Sequence, residues 1–93
     1  MIHLLIVHKV ENYADWKKIF DDATVIRKAA GEISYQVFKY DDDANKTVHL
    51  SIWDDKQNAE RFFNSPQLVK IRADAGVKSP EFIYLDLLEA GVL

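Results

Sequence analysis

The chain has 93 residues, with 12 Lys and Arg set against 15 Asp and Glu for a formal charge of -3, 48% hydrophobic and 12% aromatic residues, and no cysteine. That length holds one core, so residues 1–93 are read as a single domain, and the composition excludes disordered and membrane classes. A net negative charge argues against nucleic-acid binding by phosphate neutralisation. The lack of cysteine removes disulfides and thiolate chemistry and fits a reducing, cytoplasmic compartment.

In chain order, Ile2 to Val10 is a continuous aliphatic and β-branched run, too short to span a bilayer and without a basic leader, and it predicts a buried strand. Asn12 is an N-cap with Asp15 in the first turn. Trp16, Ile19, Phe20, Ala23, Ile26 and Ala30 then recur at helical spacing, predicting one amphipathic helix over Tyr13 to Ala30 that stops at Gly31. Ile33 to Tyr40 alternates as a strand. Asp41-Asp42-Asp43-Ala44-Asn45 is read as a turn, because it lacks the alternating ligands, central glycine and closing glutamate of a calcium loop. Lys46 to Trp53 completes a hairpin.

Asp54 or Asp55 caps a second helix through Ala59, Phe62 and Phe63. Ser65-Pro66 interrupts it, and a short helix continues from Pro66 to Ala75 before Gly76. Ser79-Pro80 breaks the chain again, and Glu81 to Glu89 is expected as the last strand. The order strand-helix-strand-strand-helix-strand closes most naturally as a ferredoxin-like α+β fold, a four-stranded antiparallel sheet with both helices on one face.

The alternation divides the strands into two sets. Val48, Leu50, Ile52, Ile83, Leu85 and Leu87, joined by Leu5 and Val7, are expected to floor the helices. The opposite set, Leu4, Ile6, His8, Ser34, Gln36, Phe38, Tyr40, His49, Ser51, Trp53, Phe82, Tyr84 and Asp86, is aromatic and polar, and in a monomer it would be an exposed patch. It is therefore expected to meet a second copy, forming a homodimer around a pocket for a small organic ligand.

His8 and His49 are the candidate catalytic residues, because imidazole moves a proton near neutral pH and both are expected on one face. Trp53 and Phe38 are candidates to stack a flat ligand. Tyr40, Gln36 and Tyr84 are candidate hydrogen-bond donors, and Asp86 a candidate acid, base or ion-pair partner. Each also has a packing role open to it in a protein interface. His3 is expected toward the helices or a sheet edge, and three dispersed histidines make a poor zinc site, so no metal is expected. No phosphate loop or serine elbow occurs. Arg27, Lys28, Arg61 and Lys70 are read as solvated helix faces.

His8-Lys9-Val10 running into Tyr13-x-x-Trp16, Ala30-Gly31 before a strand, Leu50-Ser51-Ile52-Trp53-Asp54-Asp55 leading into a helix, and Phe63-x-Ser65-Pro66-x-Leu68 together resemble the dimeric α/β-barrel proteins related to antibiotic-biosynthesis monooxygenases. The resemblance spans nearly the whole chain. It implies a homodimer with one pocket per subunit and, in some members, cofactor-independent oxygenation or ring closure on an aromatic or polyketide-like substrate. Other members of that superfamily degrade haem with an asparagine, a tryptophan and an iron-binding histidine. Here Trp53 matches the tryptophan, His8 falls near the asparagine, and Arg72 stands where the histidine is sought, so haem breakdown and a resident cofactor are not expected. The alternative is a non-catalytic dimeric module that binds a ligand or serves in assembly or stress.

Overall fold

In the computed structural model, which describes Met1–Leu93, the aliphatic run forms β1 (Ile2–Val10) at the centre of the sheet. The Asn12 side chain accepts from Asp15 N and starts α1 (Tyr13–Asp22), followed by α2 (Thr24–Ala30). The hairpin is β2 (Glu32–Tyr40) with β3 (Asp43–Trp53). Asp55 caps α3 (Lys56–Asn64) through Gln57 N, Ser65 caps α4 (Pro66–Asp74) through Leu68 N, and β4 (Val77–Leu85) closes the sheet. The strand order is β2-β3-β1-β4, every pair is antiparallel, and the ferredoxin-like α+β fold is as expected. No helix is long and apolar enough to cross a membrane.

Three elements differ from their sequence reading, the simplest being β3, which begins at Asp43 rather than Lys46 and leaves only Asp41-Asp42 as the turn. The first helix divides at Ala23, where the Thr24 hydroxyl donates to the Asp21 carbonyl at 2.6 Å and competes with the continuing helical ladder. The last strand begins at Val77 rather than Glu81 and ends at Leu85 rather than Glu89, which leaves Leu87 exposed beyond it. Ser79-Pro80 does not end it, because β4 is an edge strand that tolerates a residue without an N–H. The pair instead forms a bulge opposite His8, with Ser79 at φ 49° and the register jumping between Val7–Glu81 and Lys9–Lys78.

The larger correction concerns the faces. Leu4, Ile6, His8 and Val10 of β1 and Thr47, His49, Ser51 and Trp53 of β3 are buried beneath the chain's own helices, with Phe82 and Tyr84 of β4 half-buried on the same side. The aliphatic set of Leu5, Val7, Val48, Leu50, Ile52, Ile83 and Leu85 forms the open face. Grouping by parity across β1, β3 and β4 is right, and the side the helices cover is the reverse of the expectation. Helices that present Trp16, Phe20, Phe62 and Phe63 pack rings against the ring-bearing face. β2 departs further: a bulge at Ile33 puts both Glu32 and Tyr35 on the helical side, while Ser34, Gln36 and Phe38 pair with Ile52, Leu50 and Val48 on the open side.

Gly31 ends α2 at φ 124°, a region that L side chains rarely adopt, and an added Cβ would collide with the Asp54 carboxylate. Its carbonyl also accepts from Asp54 N at 3.0 Å, tying α2 to the end of β3. Gly31→Ala is expected to lower the unfolding free energy by about 1–3 kcal/mol. An unshifted urea midpoint would show that the junction re-forms without strain.

Candidate active site

The helix-covered face holds two apolar clusters, one around Leu4, Trp53, Phe62 and Phe63, the other around Val10, Trp16 and Phe20. Between them runs a chain of buried ionisable groups. Arg27 reaches back from α2 so that Nη1 donates to the Phe20 carbonyl at 3.0 Å while its guanidinium lies 3.7 Å from the Phe20 ring centroid. Arg27 Nε is 2.8 Å from Glu32 Oε1. The N–H does not point along that line, which makes the contact an ion pair rather than a hydrogen bond. The other carboxylate oxygen, Oε2, is 2.9 Å from His49 Nε2. All three side chains are at most 6% exposed.

This arrangement determines the tautomer of His49. A carboxylate only accepts, so Nε2 carries the proton that it donates to Glu32, and in the neutral ring Nδ1 keeps its lone pair. No protein group bonds His49 Nδ1, and His49 lines the cavity described below. Phe20 stands edge-on to the ring at 4.9 Å between centroids and limits its rotation.

His8 is the second cavity imidazole. Its Nε2 lies 3.3 Å from Thr47 Oγ1, which is also 3.5 Å from the His8 carbonyl, and its Nδ1 is buried without a partner. Burial first, and the positive charge His49 can carry second, push His8 down to about 4. A histidine lowered on folding is protonated earlier in the unfolded chain, so its contribution is complete above pH 6.5 and is lost as pH falls toward 4. From pH 7 to pH 4.5, wild-type stability should therefore fall by about 2–3 kcal/mol through this group. His8→Gln should flatten that part of the profile, and an unchanged slope would place the acid sensitivity elsewhere.

The cavity has a volume of about 70 Å³ and is bounded by Ile6 and His8 of β1, His49 of β3, Trp16 and Phe20 of α1, and Phe62 and Phe63 of α3. Its half-buried lining residues, Ile19 of α1, Ile71 and Arg72 of α4, and Val77 and Phe82 of β4, mark the mouth, where α4 and β4 meet α1. The bulge at Ser79-Pro80 lets Val77 and Phe82, five residues apart, face the same way.

Of the residues singled out from sequence, His8 and His49 come together here, on the helical rather than the open face. Trp53 is fully buried in the main cluster, its Nε1 donating to Ser51 Oγ at 2.9 Å, and it packs on Phe62 and Phe63 instead of lining the cavity. Gln36 and Phe38 are on the opposite side of the sheet. Tyr40 is at the hairpin end, with Lys46 Nζ 4.4 Å from its ring centroid, and Asp86 is exposed beyond β4. Tyr84 faces the helices near Lys56, and burial, then Glu60, raise its hydroxyl above the usual tyrosine range. Two groups escaped sequence reasoning. Arg27, read as solvated, continues the Trp16, Phe20, Ala23 stripe at four-residue spacing, and a cation on that stripe was the available signal. Glu32 was legible only through the bulge that turns it inward.

The family model for antibiotic biosynthesis monooxygenase matches residues 2–74, from β1 to the end of α4. The chain belongs to that family. Its fold is similar to that of SnoaB, a cofactor-independent oxygenase from Streptomyces nogalater, at a TM-score of 0.78 and 13% identity over 96% of this chain and 94% of that one. A candidate family member from Caulobacter crescentus CB15 superposes at 0.73 with 20% identity over 95% and 90% of the two chains. One from Bordetella bronchiseptica superposes at 0.75 with 16% identity over 99% and 97%. At these identities the likeness concerns the fold. No curated protein matches the chain.

Proposed function

We propose that this member of the antibiotic biosynthesis monooxygenase family is a cofactor-independent oxygenase of an aromatic or polyketide-like compound, working with His49 as general base. The observation that carries the reading is the His49 ring, held by Glu32 at Nε2 and free at Nδ1 on the cavity wall. Nδ1 takes a proton from an acidic ring methylene or phenol, and Glu32 faces the imidazolium that results. The carbanion or enolate so formed is electron-rich enough to reduce O₂, forming a C–O bond to a peroxide. Loss of the second methylene hydrogen with cleavage of the O–O bond leaves a carbonyl. The balance is CH₂ + O₂ → C=O + H₂O. Ring closure, the related cyclase reaction, would use the same deprotonation without oxygen.

Size constrains the substrate. Ligand sites commonly measure about 300–1,000 Å³, so a cavity of about 70 Å³ admits the reacting edge of one ring while the remainder lies in the mouth where α4 and β4 meet α1. Both histidines line that cavity, which favours the enzyme over a passive ligand-binding module. Oxygen uptake with hydroxylated cyclic compounds bearing an acidic methylene, run in chelator with ¹⁸O₂, tests the reading. One labelled oxygen in the product and one in water is expected, and uptake that requires an added metal would overturn it.

The homodimer belongs to the same proposal, but through the aliphatic open face. The surface of one copy is 6317 Å², about 800 Å² above the roughly 5,500 Å² that folded monomers of this size expose, and the C-terminal residues contribute part of the excess. A standard interface takes about 800 Å² from each partner. Leu50→Lys on this face should yield monomers in native mass spectrometry, and a wild-type monomer at micromolar concentration would exclude the pairing.

A further inference from the structure

Among the charged groups on the cavity wall, Arg27 is matched by Glu32, and burial favours the neutral form of His8. Arg72 has no opposite charge. It forms no salt bridge anywhere in the chain, and of its five N–H donors the only bonded ones are on Nη1, which donates to the Phe63 carbonyl at 2.7 Å. The guanidinium carbon lies 5.4 Å from the Phe82 ring centroid, at the cavity mouth. A half-buried cation with one protein acceptor and no counter-charge keeps donors accessible at the cavity rim, and these form the fork that fits a carboxylate.

We propose that the cavity binds a small hydroxylated aromatic or enolic carboxylate, its anionic oxygens on the free donors of Arg72 and its ring against Phe63 and Phe82. This rests on the reading that the cavity is a ligand site and narrows the substrate to anions. Phe63, Phe82 and Leu68 supply the apolar wall, and Ile71 lies beside Arg72 on the same rim. A neutral ligand of equal shape leaves the guanidinium without a counter-charge. An anion neutralises it.

Binding of 4-hydroxybenzoate and of its neutral isostere 4-hydroxybenzamide, followed by calorimetry and by amide shifts at Phe63 and Phe82, tests the assignment. The carboxylate is expected to bind about 10–100-fold more tightly, the range for a charge-assisted pair. Arg72→Gln, which can still donate to the Phe63 carbonyl, should erase that preference, and Arg72→Lys should retain part of it. Matching thermal midpoints identify variants that have simply lost the fold. Equal affinity for acid and amide, a preference that survives Arg72→Gln, or no binding of the acid at all would each overturn the proposal. The readout is equilibrium binding, so a protein with the carboxylate preference but no oxygen uptake would sink the oxygenase reading alone.

Discussion

Glu32→Ala is expected to lower the unfolding free energy by about 3–5 kcal/mol, the cost of leaving one member of a buried ion pair without its counter-charge. Arg27 would remain at 6% side-chain exposure with only the Phe20 carbonyl and the faces of Phe20 and Tyr35 around it. Its guanidinium cannot shed its charge in compensation. A domain of this size has about 5–14 kcal/mol in total, so the variant loses a large share. Urea unfolding at constant m value measures it. The double variant Arg27→Met, Glu32→Leu should recover most of the loss, because replacing both charges by apolar groups removes the desolvation cost along with the attraction. A single variant within about 1 kcal/mol of wild type would indicate that water reaches Arg27.

His49→Gln is expected to reduce the rate of the oxygenation step by about 10²–10⁴-fold, the usual contribution of a positioned base. Glutamine can still donate to Glu32 and so preserves the ion-paired scaffold, while it removes the basic nitrogen at the Nδ1 position. The loss should fall on kcat with little change in KM, since substrate contacts at Phe63, Phe82 and Arg72 stay in place. A variant that keeps full kcat would remove His49 from the chemistry and leave Glu32 and Arg27 as structural ions.

Much of the fold was legible because local chemistry and tertiary packing agree. Asn12, Asp55 and Ser65 each cap the helix that follows, Pro66 starts α4, and Gly31 and Gly76 have the positive φ their positions call for. His8 and His49 were legible as a pair on one face, since alternation in β1 and β3 is uninterrupted where they meet. Phe38 and Gln36 were assigned to the wrong side of the sheet relative to His49. Their pairing with β3 is regular from Ser34 to Lys39 but is bounded by register shifts at Ile33 and between Lys39 and Tyr40, so alternation within the strand does not reveal which set shares a face with His49. Trp53 was legible as important and not as packed, because an aromatic residue at a strand end looks the same whether its ring meets a ligand or Phe62 and Phe63.

Residue order alone settled the strand and helix types, the antiparallel closure and the grouping of side chains by parity in three of the four strands, since each of these follows from spacings of two or about 3.6 residues along the chain. Tertiary structure decided which face the helices cover. Both faces of this sheet are apolar enough to be buried, so the choice depends on how Trp16, Phe20, Phe62 and Phe63 fit against one of them. It also decided that Arg27, Glu32 and His49, from a helix and two strands, share one buried network, because only the packed chain brings groups with opposite charge from those elements within bonding distance.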